Sequence, residues 1–338
     1  MRYAGSKKRS PAAARIGGVA CLSLVLAGEA SAIAAPAAPD LVTIPSGLNL
    51  GLSSFFDGFT PTTPDSFALS NYTKFEHLDE ITDSTGRASS TFNNPRLDVF
   101  VDVLQLIWVS PLGVPGGVVG VTVLQPLVSL DSHFDEPGLV LHDNGVGLGD
   151  TVFGPYYQSL PIIRDGRPVF SYRVEMDVIA PSGSYNSKRD INQSSGYWSL
   201  IPYVAFTALP TPDIEISARM HYIYNFETNN IPNPPPIPGF DFIDGQAGQA
   251  GWINFAASYA VSPDLNAGLN GYYLKQFTND RLNGVSLPGS QKEELYLGPG
   301  IHLPLDHVNM LNLNAYFPIE SKGLPEGPQI ALQYIHIF

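Results

Sequence analysis

Side chains alternate between apolar and polar, residue by residue, in four stretches of this chain. In the first, Phe170, Tyr172, Val174, Met176 and Val178 fall on one side and Ser171, Arg173, Glu175 and Asp177 on the other. In the second, Ile214, Ile216, Ala218, Met220, Tyr222 and Tyr224 oppose Glu215, Ser217, Arg219, His221 and Ile223. In the third, Ile253, Phe255, Ala257, Tyr259 and Val261 oppose Asn254, Ala256, Ser258 and Ala260. In the fourth, Leu295, Leu297 and Ile301 alternate with Glu294, Tyr296 and His302. Successive side chains of an extended strand point to opposite faces, so a period of two means β-structure with one greasy face.

Carried along the whole chain, the pattern gives about twelve strands, at 66–75, 96–109, 117–130, 149–160, 169–180, 197–209, 214–226, 248–261, 264–277, 292–303, 309–317 and 329–338. The connections between them alternate between long and short. Outer-membrane barrels show this asymmetry, with long extracellular loops, short periplasmic turns and an even strand count. A soluble sandwich also alternates, with its apolar face inward, but it has no reason to sort its connections by length. Aromatic residues near strand ends, Tyr197, Trp198, Tyr222, Tyr224, Tyr272 and Tyr273, match the girdles at a membrane interface. The expected fold class is all-β: a transmembrane antiparallel β-barrel of the bacterial outer membrane over residues 66–338.

The turn chemistry agrees. Pro210-Thr211-Pro212-Asp213, Ser262-Pro263-Asp264 and the stretch from Pro111 to Gly117 read as short turns, and the Asn-, Pro- and Gly-rich stretch 229–239 as a long loop. Pro126, Pro155, Pro202 and Pro299 fall inside strands, where a missing N–H predicts bulges or kinks. Residues 33–65 are rich in Pro and Ser and read either as a periplasmic tail or as a plug folded into the lumen.

The ends fit export. Arg2, Lys7, Lys8, Arg9 and Arg15 precede an apolar stretch at 16–27, and Ala30-Ser31-Ala32 is a small-x-small cleavage site. Residues 1–32 therefore read as a signal peptide whose apolar stretch, about a dozen residues, is too short to span as a helix. No later window is long and apolar enough for a helical span. The last strand ends on Phe338, as a signal for the barrel-assembly machinery does, although His336 stands where an aromatic or aliphatic residue is common.

The only cysteine, Cys21, lies in the leader, so the mature chain is expected to carry no disulfide and no thiolate metal site. A net charge of −13 argues against nucleic-acid binding, which needs a basic stripe. Gly-rich phosphate loops, zinc-like His/Cys spacings and calcium loops are not found, and no cofactor or metal is expected.

Several motifs resemble one family. Gly147-Leu148-Gly149-Asp150 followed by Thr151-Val152-Phe153-Gly154-Pro155 is similar to its G-L-G-D segment, and Pro181-Ser182-Gly183-Ser184-Tyr185-Asn186 to its next loop. Tyr222-Ile223-Tyr224-Asn225, Gly268-Leu269-Asn270-Gly271-Tyr272, Lys275-Gln276 with Asn279-Asp280, and Leu297-Gly298-Pro299-Gly300 follow in the same order. The chain, over residues 145–338, thus resembles the meta-pathway of phenol degradation family of Gram-negative bacteria. The resemblance implies an outer-membrane barrel that admits aromatic or other hydrophobic compounds, and it carries over no catalytic motif.

If the apolar face meets lipid, the opposite face lines the lumen. That inward set is Asp150, Arg173, Glu175, Asp177, Tyr203, Glu215, Arg219, His221, Trp252, Asn254, Asn270, Glu294 and His302. These residues read either as a selectivity lining or as ion pairs that fill the lumen, and Asp150 equally as the tie of a bend. Tyr156, Tyr197, Tyr203, Trp252 and Tyr272 are candidate contacts for a small aromatic cargo. The function expected is a passive channel for small hydrophobic or aromatic compounds, set among outer-membrane lipid and lipopolysaccharide. The alternatives are a secreted or structural β protein and an outer-membrane lipid hydrolase. The hydrolase would need a serine two residues after its histidine, and His142-Asp143-Asn144 has asparagine there.

Overall fold

The structure is a computed structural model that describes residues 44–45, 47–234, 236, 238 and 241–338; the expected leader lies outside them. One antiparallel sheet of fourteen strands dominates, two of them three-residue pieces at Val146–Leu148 and Ile162–Arg164. The twelve long strands are β1 (Phe67–Leu78), β2 (Arg96–Val114), β3 (Gly117–His133), β4 (Thr151–Ser159), β5 (Arg167–Ala180), β6 (Ser199–Ala208), β7 (Ile214–Asn225), β8 (Ala250–Ser262), β9 (Leu265–Gln276), β10 (Glu293–Pro304), β11 (Asn309–Lys322) and β12 (Gln329–Ile337). Each pairs with its neighbours in sequence, and β1 pairs with β12 from Ala68↔Ile337 to Glu76↔Gln329, which closes the barrel. Closure leaves no free edge, the condition for a sheet in lipid.

The connections sort by length as the sequence predicts, except the last, which at 323–328 is short where a long one was expected. The long ones are 79–95, 134–150, 181–198, 226–249 and 277–292, and they all leave one end of the barrel. The tight turns 115–116 and 263–264 lie at the other. Small sheets stiffen the long loops, pairing Gly245–Gln246 with Arg281–Leu282 and Pro325–Glu326 with Glu80–Ile81.

Two boundaries move furthest. The stretch from Pro111 to Gly117 is not all turn, because β2 slips register between Val109 and Gly113 and then pairs again, Gly113↔Val118 and Val114↔Gly117. β11 continues past 317 to Lys322, with a similar slip opposite Leu295/Tyr296. The first irregularity absorbs two residues of β2 and the second one residue of β11, and each lets the ladder go on.

The strand prolines act as their chemistry requires. Each keeps its pairing on one side and breaks it on the other. Pro155 pairs with Val121, but the β4–β5 register skips from Phe153↔Val178 to Tyr156↔Glu175. Pro202 pairs with Met176, but the β6–β7 register skips from His221↔Tyr203 to Tyr224↔Leu200. Pro299 and Pro126 do the same on β10 and β3.

The barrel is inside out relative to a soluble protein. On β5, Val174 and Met176 are each 43% exposed, while Arg173 and Glu175 are 2% and 3% exposed. Phe100, Leu104, Val123, Val204, Ile216, Met220, Leu313 and Phe317 continue the exposed apolar surface around the wall. A contiguous apolar belt of this kind needs an apolar solvent. Among the described residues no helix is long and apolar enough to cross a membrane, so the crossing falls to the strands.

Candidate functional site

The polar face of the strands points into the barrel. β5 contributes Arg173, Glu175 and Asp177, β6 Tyr203, β7 Glu215, Arg219 and His221, β8 Trp252 and Asn254, β9 Asn270, and β10 Glu294 and His302; all are buried. Asp150 stands apart from them, in the loop just before β4. Its carboxylate accepts hydrogen bonds from the Gly183 and Ser195 amides and the Ser195 hydroxyl, at 3.0, 2.9 and 2.8 Å. It ties loop 181–198 to the rim. The girdle reading needs a correction at two positions. Tyr197 and Tyr272 are 2% and 1% exposed and point inward, whereas Trp198 is 50% exposed.

Residues 47–60 run through the interior as a strap, held by its main chain and by the side chains of Asn49, Ser53, Ser54, Asp57 and Thr60. The Asn49 carbonyl accepts from Trp252 Nε1 at 3.0 Å and Asn254 Nδ2 at 2.8 Å. The Gly51 amide donates to Asn254 Oδ1 at 3.1 Å, and its carbonyl accepts from the Tyr316 hydroxyl at 2.7 Å. Lys74 Nζ donates to the Leu50 carbonyl at 2.9 Å. Further along, the Phe56 amide donates to Glu215 at 3.0 Å and the Gly58 amide to Thr207 Oγ1 at 2.8 Å. Gln158 Nε2 donates to the Gly58 carbonyl at 2.9 Å. A side chain at Gly58 would put its Cβ 2.1 Å from the Thr207 nitrogen, so only glycine fits there.

Two arginines anchor the lumen's charge. Arg219 makes a two-pronged ion pair with Asp57 of the strap, and its guanidinium lies 4.7 Å from the Tyr203 ring centre. Arg173 donates from Nε to Glu175 at 2.5 Å and sits 3.7 Å over the Tyr156 ring. The Tyr203 hydroxyl donates to the same Glu175 carboxylate. His221 stacks on Trp252 with centroids 4.2 Å apart and planes 10° apart. Opposite charges held by hydrogen bonds and aromatic faces let ionic groups persist inside a membrane barrel.

A second cluster lines the opposite wall. Tyr272 stacks on Tyr296 at 4.9 Å and meets Tyr316 edge-on at 5.6 Å, with Lys74 Nζ 5.1 Å from the Tyr272 ring. His302 Nδ1 lies 2.7 Å from Asn312 Oδ1, and its ring packs against Phe56 at 4.5 Å. Sequence reasoning missed Lys74, Gln105, Gln158, Asn312, Asn314, Tyr316 and the strap's Asp57. Alternation on β11 (Asn312, Asn314, Tyr316 against Leu311, Leu313, Ala315) was the signal that could have found three of them.

The arrangement is an interior of buried polar and aromatic groups, with a wall that faces lipid. The family described as "Putative MetA-pathway of phenol degradation" matches residues 79–334. The chain belongs to this family. In structure, this member of the phenol-degradation family is similar to the COG4313 outer membrane channel from Pseudomonas putida F1, with a TM-score of 0.68 and 13% identity. The match covers 82% of this chain and 97% of that one. The β domain of the Bordetella autotransporter BrkA gives a TM-score of 0.46 at 12% identity, over 81% of this chain and 100% of that one. A TodX monoaromatic hydrocarbon channel mutant gives 0.44 at 8% identity, over 83% and 90%. No curated protein matches the chain. The fold is that of an outer-membrane β-barrel.

Proposed function

We propose that this protein is a passive outer-membrane channel for small hydrophobic or aromatic compounds, and that residues 47–60 plug its lumen. The observation that carries the reading is the inverted barrel with aromatic rings set among its interior polar groups: Tyr156, Tyr203, Trp252 and Tyr272 are all buried inside it. A wide aqueous pore does not favour an apolar cargo, whereas a narrow lumen with aromatic and polar patches does. The phenol-degradation description of its family supports an aromatic cargo.

The same reading takes residues 1–32 as a cleaved leader, β12 as the strand presented to the assembly machinery, and lipopolysaccharide as the neighbour of the long loops. It assigns transport and no chemistry. His142 sits in a loop 3.4 Å from Asp190, and Asn144, where a lipid hydrolase would need its serine, donates to Gln193 at 2.9 Å.

Uptake of labelled phenol at micromolar concentration by cells with and without the gene tests the proposal. Faster uptake with the gene is the expected result. Equal uptake of phenol and of a panel of other aromatic compounds in both strains would remove the cargo reading.

A further inference from the structure

We propose that the outward wall of β1 and β2 is where a second copy of this chain docks within the membrane. Asn71 and Thr73 of β1 and Asp102 of β2 are half-buried and point away from the lumen, alternating with inward-facing Tyr72, Lys74, Val101 and Val103. Asp102 Oδ1 accepts from Thr73 Oγ1 at 2.8 Å and from Asn71 Nδ2 at 3.0 Å. This polar group lies inside the apolar belt. On its loop side Phe75 pairs with Phe100, and on its turn side Leu69 pairs with Leu106 and Phe67 with Trp108. By contrast, the outward face of β5 to β7 carries Val174, Met176, Val204, Ile216 and Met220.

A carboxylate on a lipid-facing wall is out of place, because ionisable groups at membrane depth pair with one another or face protein or water. Nearer the rim, Asp98 has His77 at 2.6 Å and Arg96 at 3.5 Å. Asp102 has no such cation among the described residues, and no described group donates to its second oxygen, Oδ2. Lipid tails offer no donor. A protein surface that carries one at the same depth does.

The wall is its own complement. Two copies inserted the same way round form a closed pair only about a two-fold axis along the bilayer normal. Such an axis keeps depth and swaps left for right, so β1 of one copy faces β2 of the other. The donors stand on β1 and the acceptor on β2, at neighbouring register: Thr73 lies opposite Asp102, and Asn71 opposite Leu104. Asn71 Nδ2 also donates to the Val103 carbonyl, but at 3.5 Å, the limit of a hydrogen bond. Turned outward, that N–H meets Oδ2 of the second copy's Asp102, and the reverse contact forms by symmetry. The two carboxylates then sit diagonally, each set against amide and hydroxyl donors. Phe75, Phe100 and Leu104, which are 47%, 38% and 49% exposed, pack around these bonds. Close packing bridged by polar side chains is how membrane segments associate.

Cross-linking in isolated outer membranes tests the contact. Leu104→Cys, beside the proposed axis, should give a disulfide-linked dimer on mild oxidation, while the parent chain and Met220→Cys on the far wall should not. Asp102→Leu added to Leu104→Cys should lower the dimer yield about fivefold or more. It removes a charge from the lipid face, so heat-modifiable gel migration should show the barrel folded. Asp102→Asn keeps an acceptor in place and should restore most of the yield. Equal yields from Leu104→Cys and Met220→Cys overturn the proposal, and that comparison does not depend on any Asp102 variant. A product with the mass of a different protein, or a yield that folded Asp102→Leu leaves intact, overturns it too.

Discussion

Asp57 and Arg219 meet inside the barrel through two hydrogen bonds, Nε to Oδ2 at 2.7 Å and Nη2 to Oδ1 at 2.5 Å, across 162 residues of sequence. Their side chains are 6% and 10% exposed. Removing one partner of a buried pair leaves a bare charge, at a cost of about 3–5 kcal/mol. Asp57→Asn is therefore expected to free the strap and raise single-channel conductance in planar bilayers. Combining Asp57→Arg with Arg219→Asp should bring conductance back toward the parent value. Unchanged conductance in Asp57→Asn would show that the pair does not hold the lumen shut.

The outward face of β7 tests the membrane assignment. Met220 is 45% exposed in the middle of that strand. An arginine on the lipid face near the bilayer midplane costs about 2–4 kcal/mol. Met220→Arg should lower the urea midpoint for unfolding from lipid vesicles by a corresponding amount, while Ser84→Arg in the exposed loop 79–95 should leave it in place. Equal midpoints for the two variants would contradict the lipid-facing placement.

Asp150 makes a prediction about the rim. Asp150→Ala strands the Gly183 and Ser195 amides, each worth about 1–3 kcal/mol when buried without an acceptor. Loop 181–198 should loosen while the barrel persists. Limited trypsin digestion reads this as faster cleavage after Lys188 and Arg189, with unchanged heat-modifiable migration.

Asp143, in the loop between β3 and β4, gives a pH dependence. Burial works to raise its carboxyl, but hydrogen bonds from the Ser132 hydroxyl and from the Gly145 and Ser132 amides outweigh it and hold the group below its ordinary 3.8. A depressed carboxyl stabilises the fold fully above its unfolded value and loses that contribution as pH falls through the folded one. The loop contact should therefore hold at neutral pH and give way only in strong acid. Ser132→Ala should move that loosening to higher pH. Amide exchange at Gly145 followed against pH measures it.

The barrel was legible where its two faces meet different surroundings. On β5, β7 and β8 lipid lies on one side and polar groups on the other, so the period of two stands out. On β2 and β3 both faces are apolar: Val101, Val103, Val128 and Leu130 pack inside around Leu52 of the strap, while Phe100, Leu104 and Leu127 face out. No alternation marks the strand there, and the end of β2 was placed too early. The strap left no local sign of its path. Its bonds run from main-chain atoms to side chains such as Thr207 and Trp252, 149 and 203 residues away. Asp57 could not be matched to Arg219 for the same reason: nothing near it in sequence refers to β7.

The wall grips the strap partly by amides and carbonyls, which leaves some letters of that ribbon free to change, while Leu52, Ser53, Ser54, Phe55 and Asp57 are held by burial, hydrogen bonds or charge, and Gly51 and Gly58 by a left-handed bend and a close approach. Respelling the freer letters should retune how firmly the ribbon is seated, without redesigning the cylinder around it. A free synthetic peptide with this spelling should cork a cylinder from which the ribbon has been cut.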